Sequence, residues 1–139
     1  MVIVKGSTGL SVSIDMLGIA EVMRRLQAAG EEIKQGADFG VVRAGAWVEE
    51  EVKESIAGNR AEPRSVRTGL FANSIEFDKI SDAVGVVKSD PRTYPGTSTT
   101  TEDVAGFLEK DRQHFTNTRI RTATQVTEII ENEIKQQLR

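Results

Sequence analysis

Apolar and polar residues alternate with period two over Leu10–Asp15 (Leu-Ser-Val-Ser-Ile-Asp), which predicts a short half-buried strand. The period then lengthens. Ile19, Val22, Met23, Leu26, Ala29 and Ile33 recur every three or four residues, predicting a helix from about residue 16 with Asp15 as its N-cap. Gly30 and Gly36 weaken that helix and predict a break near residues 34–38. A second stripe, Val41, Ala44, Val48, Val52 and Ile56 with Trp47 beside it, predicts another helix. Gly58-Asn59 ends it, since both residues tolerate a left-handed C-terminal cap. The acidic cluster Glu49, Glu50, Glu51 and Glu54 reads as this helix's solvated face.

Residues 58–67 form a polar connection rich in arginine and containing Pro63. Thr68 is placed to cap a short helical turn over residues 69–73, with Gly69 allowing close backbone packing. Residues 74–81, with Ile75 and Phe77 inward, and residues 82–88 predict two strands. The tight link over 79–82 makes them an antiparallel hairpin, with Gly85 marking a bulge. Residues 89–101 hold Pro91, Pro95, Gly96 and the run Thr97, Ser98, Thr99, Thr100, Thr101, a mobile loop by composition. A loop of this length in a compact domain most often contacts a partner. A short amphipathic segment follows over 102–109, with Val104, Phe107 and Leu108 apolar. From Thr116 a long helix carries Ile120, Ala123, Val126, Ile130, Ile134 and Leu138, the strongest periodic signal in the chain. The expected fold is α+β: a small antiparallel sheet, built from the N-terminal strand and the hairpin, packed against two or three helices. Residues 1–139 read as one domain, with 1–9 as a flexible arm.

Composition narrows the chemistry. With 18 Lys+Arg against 21 Asp+Glu the net charge is −3, and 38% hydrophobic residues suit an ordinary globular chain. No block of like charges forms a basic tail for DNA. Without cysteine there is no thiolate nucleophile or cysteine metal site, and one histidine rules out two-histidine metal motifs. No apolar run is long enough to span a bilayer, and Met1–Gly6 lacks a signal-peptide core, so an intracellular, non-membrane protein is expected. Lys5-Gly6-Ser7-Thr8-Gly9 lacks the spacing of a phosphate loop. A Ser-His-acid triad would have to use His114, and no serine lies in a Gly-x-Ser-x-Gly elbow; His114 reads as a surface or capping residue. The carboxylate pairs Glu102/Asp103 and Glu109/Asp111 lack the aromatic walls of a sugar site. No cofactor, metal or catalytic residue is expected.

The stretch Glu62-Pro63-Arg64-Ser65-Val66-Arg67-Thr68-Gly69-Leu70-Phe71-Ala72-Asn73-Ser74-Ile75 resembles the Pro…Thr-Gly-x-Leu/Arg-x-Ser-Ile element of the tail-completion (neck, minor tail) proteins of long-tailed double-stranded DNA phages. The resemblance extends in element order over about residues 10–138, with Ala105-Gly106-Phe107-Leu108-Glu109 and His114-Phe115 at the expected places. Glu109 is followed by Lys110-Asp111 where the family has Gly-Thr, and the alanine before Phe107 lacks the family's tyrosine neighbour. The resemblance implies a structural virion protein at the head–tail junction, present in host cytoplasm during assembly. It would form a ring, commonly a hexamer, around the DNA channel. Its partners would be the head-side connector on one face and the tail tube or its terminator on the other.

Two other classes are distinguishable. An intracellular adaptor using the C-terminal helix as an arm would be a monomer or dimer. A small hydrolase would need Glu109 or Asp111 for turnover. On the structural reading, the residues expected at subunit or partner contacts are Arg60, Arg64, Arg67 and the run Thr97, Ser98, Thr99, Thr100, Thr101.

Overall fold

A computed structural model describes residues 11–15, 30–66 and 69–138. The helix expected from residue 16, the Asp15 capping contact, the 1–9 arm, Arg67 and Thr68 lie outside what is described.

The first described helix, α1, runs unbroken over Glu31–Ile56. The break expected at 34–38 is absent; the chain is extended at Gly30, which serves as N-cap at φ −68° and ψ 166°. Gly36 and Gly40 sit inside the helix for a reason the local pattern hides. A Cβ on Gly36 would lie 2.8 Å from the Cα of Ile134, and one on Gly40 would lie 2.7 Å from the Cα of Ile130. The glycines are the flat surface on which the C-terminal helix rests. Beyond them Val41, Ala44, Val48, Val52 and Ile56 are all fully buried, as their spacing predicts. The helix stops at Ala57 and Gly58, the latter at φ +86°, with the Gly58 and Asn59 N–H groups donating to the Ser55 and Glu54 carbonyls.

Leu70–Ser74 forms a single turn, α2, entered through Gly69 at φ +82°. A Cβ there would meet only the Asn73 amide, at 3.7 Å, so the dihedral rather than close packing calls for glycine. The chain passes directly into β2 (Ile75–Ser81) and returns as β3 (Val84–Ser89), an antiparallel hairpin with Ala83 at φ +58° in its turn. The irregularity lies on β2, between Lys79 and Ser81. Gly85 leaves room for the Phe77 ring, which also lies against Gly45 of α1; a Cβ at either glycine would come within 2.2 Å of that ring. The backbone of β1 (Ser11–Asp15) pairs antiparallel with β3, giving the order β1-β3-β2.

Two helices complete the α+β fold: α3 (Thr101–Asp111) and the long α4 (His114–Gln137). The core is a cluster drawn from α1, α2, the hairpin, α3 and α4, with Phe71, Ile75, Val87, Ala105, Phe115 and Ile130 joining the α1 stripe. The periodicity of α4 misleads near both of its ends. Ile120 and Leu138 are exposed, at 68% and 57%, while Thr118, Thr122 and Glu133 are buried. Thr122 satisfies its hydroxyl on the Thr118 carbonyl at 2.8 Å, and Glu133 pairs with Arg43 of α1.

The acidic cluster of α1 is mostly occupied rather than solvated. Glu49 accepts from the Phe77 N–H at 2.8 Å on β2, an outer strand of the sheet. Glu51 binds Arg60 and Glu54 binds Asn59, leaving Glu50 exposed.

Candidate functional site

The connection after α1 folds back on the helix end. The Ser65 N–H donates to the Ile56 carbonyl at 2.7 Å, and a Cβ on Gly58 would lie 2.7 Å from the Arg64 Cβ. This return buries Glu62, only 4% exposed. Its carboxylate accepts from Ser55 Oγ (2.5 Å), Arg121 Nη2 (2.9 Å) and Nη1 (3.2 Å), and Asn117 Nδ2 (3.3 Å). Burial pushes the Glu62 carboxyl up, but the bonds from Arg121 and Ser55 outweigh it, so the group titrates below the usual range.

His114 is 1% exposed, not a surface residue. Its Nδ1 lies 2.7 Å from Ser55 Oγ and its Nε2 lies 2.7 Å from Ser65 Oγ. Because Ser55 gives its proton to Glu62, the hydrogen-bond pattern assigns the imidazole proton to Nδ1. Nε2 then accepts from Ser65, whose oxygen in turn accepts from Arg112 Nη1 at 2.9 Å. The chain Arg112, Ser65, His114, Ser55, Glu62 therefore runs in one direction, from a guanidinium to a carboxylate. Burial pushes the imidazole below its ordinary value, against the pull of Glu109 and Glu62, and Arg112 pushes the same way as burial.

A serine donating to a neutral imidazole is the pairing used for nucleophile activation. Here the far ring nitrogen rests on a hydroxyl instead of a carboxylate, and the Ser65 oxygen already accepts from Arg112. What the network does in the fold is bind the end of α1, the arginine connection and the start of α4 into one unit. Glu109, weighed above as an acid, caps α4: it accepts from the Phe115 and Thr116 N–H groups at 2.9 and 3.1 Å and from the Thr116 hydroxyl at 2.8 Å. Asp111 is exposed at the end of α3. Among the described residues no three His, Asp or Glu side chains gather as metal ligands.

Ser65 and Arg112 also open onto the surface. Together with Arg64, the 94–99 turn, α2 and one side of α3 they line a groove of about 830 Å³. Val66, Phe71, Val104 and Leu108 give it an apolar lining, Arg64 and Arg112 add two cations, and among the described residues no carboxylate lines it. Thr97 and Thr99 belong to the same lining as the arginine connection. Two segments about thirty residues apart in sequence thus meet at one surface feature.

The expected contact residues divide accordingly. Arg64, Thr97 and Thr99 reach the groove, and Arg64 and Thr97 are exposed. Ser98 is exposed but outside the lining. Arg60 is held on α1, its Nη2 2.5 Å from Glu51, and does not join them. Arg67 lies outside the described residues. Thr100 caps α3, accepting from the Asp103 N–H while Asp103 accepts from the Thr100 N–H. Thr101 is fully buried: its hydroxyl donates to the Asp90 carbonyl and accepts from the Arg92 N–H, both at 2.9 Å. It cannot contact a partner in this fold. Nor is 89–101 structureless, since Thr93 bridges Thr100 and the Tyr94 N–H donates to the Thr99 carbonyl. The Thr-x-x-Asp spacing of 100–103 was a capping signal; the contacts of Ser55 and Ser65 to His114 and of Arg121 to Glu62 had none, being 49 to 59 residues apart.

No family model matches the chain, and no curated protein or solved structure matches it either. No helix among the described residues is long and apolar enough to cross a membrane.

Proposed function

We propose that this chain is a structural subunit of the phage tail-completion kind. It joins tail to head at the neck of the virion, works as a homo-oligomeric ring around the DNA channel, and carries out no catalysis. The head-side connector would bind one face and the tail tube or its terminator the other, with double-stranded DNA passing close by.

The observation that carries the reading is the groove: the arginine connection and the threonine-rich turn, both read as contact segments, converge on it together with apolar side chains. The fold supports it further. The segment carrying the family resemblance contains a helical turn that leads straight into a hairpin, and a long C-terminal helix comes later, the order the resemblance calls for. The hydroxyls beside His114 spend their protons within the fold, which suits a rigid scaffold.

The test is assembly in infected cells with Arg64→Glu and Arg67→Glu combined. DNA-filled heads and free tails that do not join are expected. Normal joining with the double substitution refutes the proposal.

A further inference from the structure

One face of α3 lines the groove through Val104 and Leu108; the neighbouring face carries a different pattern. Asp103, Phe107 and Asp111 follow one another at four-residue intervals, so they form one stripe along the helix. All three are exposed, and Phe107 is 64% exposed, second only to Ile120 among the large apolar side chains left in solvent. Lys110 is exposed at the stripe's margin. The stripe is thus an aromatic ring between two carboxylates. The groove is its chemical complement: an apolar lining with two arginines, which adjoin because Arg112 Nη1 donates to the Arg64 carbonyl at 2.5 Å, and no carboxylate among the described residues that line it. Arg64 and Arg112 form no ion pair among the described residues.

We infer that the groove receives the Asp103–Phe107–Asp111 stripe of a second copy of this chain. The stripe and the groove lining lie one residue apart in sequence, about 60–100° around the helix. They are different surfaces, so a copy that donates its stripe to one neighbour still offers its groove to another. Such a contact is head-to-tail and closes into a ring when the rotation per copy permits. The two arginines order the approach of the acidic stripe, and burial of Phe107 against the apolar lining supplies the attraction. The inference rests on the ring proposed above and names the surfaces that build it.

The experiment measures the mass of the full-length purified chain by light scattering at fixed concentration. The parent chain is expected to exceed a dimer. Phe107→Glu spoils the stripe and leaves the groove; Arg64→Glu spoils the groove and leaves the stripe. Each variant alone is expected to be monomeric with an unchanged circular-dichroism spectrum, because both positions are exposed. Mixed in equal amounts they are expected to form a dimer and stop, since one good groove and one good stripe remain. A monomeric parent, variants that keep the parent mass, or a mixture that stays monomeric each overturns the inference. A parent oligomer insensitive to both substitutions leaves the ring reading standing while this interface falls. Correct masses combined with normal head–tail joining by the double arginine variant do the reverse.

Discussion

Replacing Gly40 with alanine decides between two physical effects of opposite sign. By helix propensity the change favours α1 by about 1 kcal/mol, because glycine is the poorer helix former. The structure opposes it. The added Cβ would lie 2.7 Å from the Cα of Ile130 and 3.3 Å from that residue's Cβ and Cγ1, where ordinary contact begins at 3.4 Å. The nearest obstacle is backbone, so no rotamer change relieves it; α1 and α4 must separate by at least 3.4 − 2.7 = 0.7 Å locally. Overpacking of this kind costs about 1–3 kcal/mol, and a backbone obstacle belongs at the upper end. The net expectation is a loss of about 2 kcal/mol, lowering the urea midpoint by about 1 M with an unchanged slope. Ala46→Gly, at an exposed position of the same helix, calibrates the propensity effect and should cost about 1 kcal/mol on its own. A Gly40→Ala protein with a higher midpoint than the parent refutes the argument that the glycines exist for helix contact.

Two further outcomes are expected. His114 is held neutral below its ordinary value, so above about pH 6.5 neither folded nor unfolded chain protonates it and its contribution is complete. As the pH falls from there toward the folded value the unfolded chain binds the extra proton and stability drops. Glu62, also lowered, adds a second loss as the pH falls below its unfolded value and through its folded one. His114→Gln should flatten urea midpoints between pH 7 and 5.5; an unaltered slope there removes His114 as the cause. Thr101→Val keeps the shape but leaves the Arg92 N–H and the Asp90 carbonyl without the hydroxyl, at a cost of about 2 kcal/mol. Amide exchange in 92–100 should accelerate, and protection equal to the parent's argues against Thr101 as the turn's anchor.

What the pattern of residues could reveal was local. The α1 stripe from Val41 to Ile56, the Gly58 stop and the hairpin each depend on neighbours within a few positions, and the structure follows them. Gly36 defeated the same reasoning because its meaning lies in Ile134, almost a hundred residues away. The first half of α4 did so too: Thr118 and Thr122 are buried where it packs beside the Glu62 and His114 network, and Ile120 faces out. His114 looked like a surface residue because both of its partners are serines, which announce nothing in sequence. The site was half visible. Composition singled out the arginine connection and the threonine run, but only the return of the chain over the end of α1 brings Arg64 and Thr97 to one groove.

The carboxylate of Glu49 on the Phe77 amide has a consequence for the ring proposed above. An open strand margin invites a foreign strand to zip on, and growth by that route continues into fibres. Any intruder along β2 would first have to evict a carboxylate anchored on the adjoining helix and break the bond it accepts from the strand. Crowded copies are thereby steered away from backbone-to-backbone polymerisation, so that association falls to side-chain surfaces, where partner choice can be specified.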